Sequence, residues 1–79
     1  MDSQNRRTLI AEAGDLIRFL TAKEQRVLEM RYMVEPGMNA KELGIEFGVT
    51  ASAIRKIEAM AIRKLVMLNG QLADVRKVL

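Results

Sequence analysis

The sequence predicts an all-α fold, a small helical bundle with four main helices and room for a short fifth one at the C-terminus. Three observations predict it. Apolar residues recur at helical spacing in each long segment, two four-residue capping boxes mark helix starts, and no segment alternates apolar and polar residues with period two. The chain has 79 residues, without a repeat or a Gly/Ser linker, so we expect one domain over residues 1–79.

The first helix is expected over about residues 4–19, with Asp2 or Ser3 as its N-cap. Gly14 lies within it and weakens it slightly. Its apolar residues follow the helical period and predict one buried side: Leu9, Ile10, Ala13, Leu16, Ile17 and Leu20.

The second helix is expected to start after Thr21 and to run to about residue 33. Thr21 and Glu24 are spaced as a capping box, in which each side chain accepts a hydrogen bond from the other residue's backbone amide. The segment Glu35-Pro36-Gly37 follows, and Pro cannot continue the helical hydrogen bonds. The second helix should therefore end before residue 35.

Residues 40–68 predict a helix-turn-helix. A second capping box, Asn39 to Glu42, starts a third helix, and Gly48 should end it with left-handed backbone. Gly44 leaves room for a closely crossing partner, and Thr50 caps a fourth helix. The predicted buried residues are Leu43, Phe47, Val49, Ile54 and Ile57, followed along the fourth helix by Ala61, Leu65 and Leu68.

The end of the chain contains Asn69-Gly70, a pair that often terminates a helix. We therefore expect the fourth helix to end there. A short last helix is then expected over residues 71–79, with Leu72, Val75 and Leu79 on one side.

Composition narrows the function. The chain has no Cys and no His, which excludes disulfides, thiolate metal sites and the commonest general base, so we expect no cofactor, no metal and no enzymatic activity. The formal charge is +3, and residues 51–79 hold six Lys or Arg against Glu58 and Asp74. This basic excess permits nucleic-acid binding. We read Glu24, Glu42 and Glu58 as caps or helix-surface charges.

Three segments in order carry a resemblance: LTAKEQRVLEMRY from Leu20, KELGIEFGVT from Lys41 and IRKIEAMAIRKL from Ile54. They resemble region 4 of bacterial primary-type sigma factors over roughly residues 9–65. The resemblance implies a four-helix domain that binds the −35 promoter element and docks on the flap tip of the RNA polymerase β subunit. An anti-sigma or activator protein is a further candidate partner.

By position, the resemblance implies that Lys23 and Arg31 touch DNA phosphates, that Thr50 caps the recognition helix and that Arg55 contacts the −35 element. The chain also departs from the family. The family usually carries Arg-Glu-Arg after the cap, where this chain has Ala51-Ser52-Ala53, and a Gln where Lys56 stands. We expect Ser52, Arg55 and Lys56 to face base edges, with a DNA sequence preference that differs from the family's.

Two functions remain open. The first is a transcription-initiation module that binds double-stranded promoter DNA. The second is a protein-interaction module for polymerase or an anti-sigma-type partner, with weak or altered DNA specificity. For either, we expect an exposed apolar docking surface on the first two helices, formed by Leu16, Ile17, Leu20, Val27 and Leu28.

The expected location is the bacterial cytoplasm, for a host or a phage protein, because no apolar run is long enough to span a bilayer and the N-terminus lacks a signal-peptide core. The sequence leaves open whether the chain is a fragment of a full sigma factor or a free-standing regulator.

Overall fold

A computed structural model describes residues 3–78, and the side chains of residues 4–71. The described chain is all-α. Helix α1 spans Ser3–Ala13, a 3-10 helix spans Gly14–Phe19, α2 spans Ala22–Tyr32, α3 spans Ala40–Phe47 and α4 spans Ala51–Val78. None of the described helices is both long and apolar enough to cross a membrane.

The helix starts agree with the sequence. Both capping boxes are present: Glu24 N donates to Thr21 Oγ1 at 3.2 Å and Glu42 N donates to Asn39 Oδ1 at 2.8 Å, while each Glu side chain accepts from its cap residue's amide. These pairs satisfy amides that have no partner within the helix. Helix α2 ends at Tyr32, within one residue of the prediction.

Two predicted helix boundaries are wrong. The first helix does not run to residue 19, because the backbone tightens to a 3-10 helix at Gly14, a residue of low helix propensity. Helix α4 does not end at Asn69-Gly70, and there is no separate last helix among the described residues. Gly48 has the only positive φ of the described glycines, so Gly70 lacks the left-handed backbone that would terminate a helix. Residue 79 and the side chains of Leu72 and Val75 lie outside the described part.

The core has two parts that meet along α4. The larger part joins α1, the 3-10 helix and α2 to the middle of α4, with buried Leu9, Ile10, Ala13, Leu16, Ile17, Leu20, Leu28, Ala61, Ile62 and Leu65. The smaller part lies under the helix-turn-helix and contains Val27, Ala40, Leu43 and Ile54. Each fully buried Leu or Ile contributes about 1.5–3 kcal/mol. Because both parts pack on α4, its first turns are held in a fixed position.

Candidate nucleic-acid interface

The turn between α3 and α4 is shaped by two glycines. Gly48 has φ 70° and ψ 31°, the left-handed conformation that was predicted for it. At Gly44 a Cβ atom would lie 2.7 Å from the backbone oxygen of Val49, so only glycine lets the turn pass this close. The Val49 amide donates to the Gly44 oxygen at 2.8 Å. These contacts fix the angle at which α4 leaves the turn.

Thr50 forms the predicted N-cap of α4, since its Oγ1 accepts a hydrogen bond from the Ala53 amide at 3.1 Å. Val49, beside it, was predicted to be buried and is 40% exposed. The turn lifts it away from the core, while Leu43 and Ile54 on either side of the turn are fully buried as predicted.

Three residues expected to face DNA are exposed on the first two turns of α4: Ser52, Arg55 and Lys56. Their spacing of three and four residues places them on one face of the helix. Neither Arg55 nor Lys56 forms an ion pair with any residue that the structure describes. Both side chains can therefore reach an external partner without breaking an internal contact.

The two residues of α2 that were assigned to phosphates differ in their surroundings. Lys23 is exposed and makes no ion pair within the described part of the chain. Arg31 has a side chain that is 22% exposed, and its Nε lies 2.9 Å from Glu58 Oε1, without the alignment of a hydrogen bond. Arg31 is thus already engaged inside the domain, whereas Lys23 is free.

Glu58 was predicted to be a helix-surface charge, and this is wrong: its side chain is 3% exposed and pairs with both Arg6 and Arg31. The Tyr32 hydroxyl completes the cluster. The hydrogen bond with Tyr32 raises the pKa of Arg6, and the negative charge of Glu58 raises it further. Burial raises the pKa of Tyr32, although the hydrogen bond with Arg6 partly opposes this rise. The cluster joins α1, α2 and α4 by charge.

The position of Glu58 gave a signal that could have revealed this burial. It lies four residues after Ile54 and three before Ala61, on the same helix face as these buried residues. A carboxylate there must find cationic partners, because an unpaired buried charge is very costly. Arg6 and Arg31, from two other helices, are those partners.

Glu24 forms a second internal ion pair in addition to its capping role. Lys64 Nζ lies 2.9 Å from its Oε2. Burial alone would raise the pKa of Glu24, but hydrogen bonds from the Thr21 amide, from Lys64 and from the Thr21 hydroxyl hold the pKa below its ordinary value. The pair ties the start of α2 to the middle of α4.

The predicted docking surface on the first two helices is wrong as placed. Its five residues are at most 6% exposed, and all belong to the core: Leu16, Ile17, Leu20, Val27 and Leu28. Their helical spacing identified a buried side, which sequence alone does not distinguish from a docking face. The large exposed apolar residues lie elsewhere: Phe19, Met33, Val34, Ile45, Val49, Met60, Val66 and Met67.

Comparison with known proteins agrees with this geometry. Residues 16–65 match the family of sigma-70, region 4. The chain is 43% identical over 53 residues to RNA polymerase sigma factor SigA of Bacillus sp, which covers 65% of this chain and 14% of the relative. It is also 37% identical over 67 residues to the SigA of Lactococcus lactis subsp. cremoris, which covers 82% of this chain and 18% of the relative. The chain thus spans less than a fifth of these relatives. No solved structure is significantly similar to it.

Proposed function

Because the chain belongs to the sigma-70 region 4 family, we propose that it is a promoter-recognition module that binds −35-type double-stranded DNA with the first turns of α4. The family is not enzymatic, and its members typically bind the −35 promoter element. The observation that carries the proposal is the exposed pair Arg55 and Lys56, free of internal ion pairs and one turn beyond the Thr50 cap.

In this proposal the residues of α4 have distinct roles. Arg55 and Lys56 donate to base edges in the major groove, where Arg and Lys pair best with guanine O6 and N7, so the bound site contains at least one guanine. Ser52 is short and contacts bases weakly or through water. Ala51, Ser52 and Ala53 form the first turn of α4, and their short side chains let the helix approach the groove with few base contacts. This favours a DNA sequence preference unlike that of relatives with longer side chains at these positions.

Lys23 neutralises a phosphate and positions the domain without specifying sequence. Arg31 contributes less, because its guanidinium is held by Glu58. The isolated domain should therefore bind DNA weakly. Four cations face the DNA in this proposal: Lys23, Arg31, Arg55 and Lys56. Each contributes about −0.9 to the slope of log K against log salt, with Arg31 contributing less, so the slope should be near −3.

RNA polymerase is the proposed protein partner, since tethering to polymerase raises the effective concentration of a weak DNA-binding domain at the promoter. We place its docking surface on exposed apolar residues directly after α2 and in the middle of α4: Met33, Val34, Val66 and Met67. Tyr32 and Leu68 pack against the same part of the core, which brings these two segments together. The β flap tip is the expected contact. Such a module works in the bacterial cytoplasm.

The test compares Arg55→Ala with Arg63→Ala, an exposed cation about 12 Å farther along α4 at 1.5 Å per residue. Fluorescence anisotropy measures binding to a −35 promoter duplex and to a scrambled duplex of equal composition. Arg55→Ala should weaken promoter binding by about 1–3 kcal/mol and lower the preference over the scrambled duplex. Equal losses for both variants on both duplexes would contradict base readout by α4.

The second candidate function is a protein-interaction module, favoured by the short side chains on the first turn of α4. Binding measurements with and without core polymerase distinguish the two functions. If the domain binds core polymerase in a pull-down yet shows no promoter preference with or without it, the interaction module is the better description. Val66→Glu should weaken polymerase binding and leave the melting temperature nearly unchanged, since Val66 is 46% exposed.

A further inference from the structure

An open cleft of about 350 Å³ lies beside the helix-turn-helix, between the start of α2 and the turn. Its lining residues come from α2, α3, the turn and α4: Ala22, Lys23, Arg26, Phe47, Val49 and Ile57. Phe47 and Ile57 are half-buried and form its apolar floor, while Val49 is 40% exposed at its edge. Val49 therefore contributes to the cleft and not to the core.

The charge at the cleft has one sign. Lys23 and Arg26 lie three residues apart on one face of α2, and both are exposed. No lining residue is acidic, and neither cation forms an ion pair with a described residue. Glu24, between them in sequence, is bound to Lys64 instead. The positive charge at this rim is therefore left for an external partner.

A phosphate backbone matches the positive charge of this cleft but not its apolar floor. Phosphates pair with Lys23 and Arg26, but they gain nothing from Phe47, Val49 and Ile57, whose burial is favourable only against apolar surface. A neutral apolar ligand fails in the opposite way, because it desolvates two cations without a counter-charge. The complementary ligand carries a bulky apolar group flanked by carboxylates.

We propose that this cleft binds an acidic protein segment that inserts a large apolar side chain between α2 and the turn while its carboxylates pair with Lys23 and Arg26. The segment needs Lys23, which is also the phosphate contact of the proposed function. Occupancy of the cleft and DNA binding are therefore mutually exclusive, and this competition rests on that proposed function. An acidic partner would act as an inhibitor that displaces promoter DNA without touching Arg55.

The probe is the peptide acetyl-Asp-Glu-Phe-Leu-Glu-Asp-amide, titrated into the intact chain by calorimetry. One control peptide replaces the acids by Asn and Gln, and the other replaces Phe-Leu by Ala-Ala. The acidic Phe-Leu peptide should bind at least about tenfold more tightly than either control, because each control lacks one of the two complementary features. Equal binding of the acidic Ala-Ala peptide would mean charge attraction only and would overturn the proposal.

Two matched pairs of variants locate the binding site. Val49→Asp places a carboxylate at the cleft, and Ile45→Asp places one at an exposed apolar residue of α3 that does not line the cleft. Lys23→Gln is paired with Arg63→Gln, an exposed cation outside the cleft. The cleft variants should each weaken peptide binding about tenfold and the control variants less than twofold. Similar losses in both members of a pair would overturn the cleft as the site.

Competition is measured last, with labelled promoter duplex and an increasing concentration of the acidic Phe-Leu peptide. Displacement of the duplex supports the shared use of Lys23, and simultaneous binding overturns it. If the chain binds no duplex at all, the proposed DNA function fails while the calorimetric result for the cleft still stands. If the duplex binds through the cleft residues and no peptide binds, the cleft belongs to the DNA interface and the proposal is wrong.

Discussion

The substitution Glu58→Gln should destabilise the domain by about 2–4 kcal/mol. Removing one member of a buried ion pair typically costs about 3–5 kcal/mol, because the remaining charge is left without a partner. Arg6 and Arg31 have side chains 27% and 22% exposed, so each guanidinium can turn partly toward water, which lowers the expected cost. The Gln side chain has nearly the same volume, so packing contributes little to the change.

Urea unfolding followed by circular dichroism measures this change directly. In thermal unfolding, a domain of this size loses about 4–8 °C of melting temperature for each kcal/mol, so the melting temperature should fall by roughly 8–30 °C. Glu46→Gln, at an exposed carboxylate of α3 that forms no ion pair with the described residues, is the control and should change stability by less than about 0.5 kcal/mol.

A double-mutant cycle with Arg31→Met identifies the origin of the effect. If Glu58 stabilises the domain through Arg31, the two substitutions should be coupled by at least about 1 kcal/mol. Glu58→Gln with the same stability as the parent would refute the claim that this carboxylate joins α1, α2 and α4. Additive losses would refute the pairing with Arg31 in particular.

The remaining predictions concern the turn and the capping residues. Gly44→Ala should cost about 1–3 kcal/mol despite the better helix propensity of Ala, because the added Cβ meets a backbone oxygen at 2.7 Å; thermal unfolding checks it, and a rise in stability would contradict the close approach. Gly48→Val should cost about 1 kcal/mol or more from positive φ alone, since an added Cβ meets no atom there, and Gly48→Asn should cost less; equal melting temperatures for the two variants would count against backbone strain. The pKa of Glu24 is lowered by folding, so its charge stabilises the domain above its ordinary value of 4.5, and this contribution is lost as pH falls through the lowered pKa. Unfolding free energy measured from pH 6 to about pH 3 should therefore fall less steeply for Glu24→Gln than for Glu42→Gln, and equal slopes would contradict the shift.

Sequence reasoning predicted the features that depend on neighbouring residues. The capping boxes at Thr21 and Asn39 and the left-handed turn at Gly48 need only local backbone geometry, and all three are present. The all-α fold followed from patterns of this kind and is confirmed. The family followed from the resemblance of three segments, and the match over residues 16–65 confirms it. Local chemistry thus sufficed for the helix-turn-helix.

The errors concern features that depend on distant residues. Helical spacing identified Val27 and Leu28 as one apolar side, but only the packing of α4 decides that this side is internal. Glu58 is buried because Arg6, 52 residues earlier in the chain, reaches it. The DNA roles of Lys23, Ser52, Arg55 and Lys56 stay predictions, since exposure permits them without testing them.

The continuity of α4 gives the domain a mechanical property. At 1.5 Å per residue its 28 residues form a rod about 42 Å long, and both parts of the core pack on it, one through Ile54 and the other through Ala61, Ile62 and Leu65. The first turns of α4 and its middle therefore move as one rigid lever, with roughly 16 Å between Ile54 and Leu65. Removing one residue between Lys56 and Ala61 would rotate the first turns by about 100° around the rod axis relative to the larger part of the core, and would turn Arg55 and Lys56 away from their present direction.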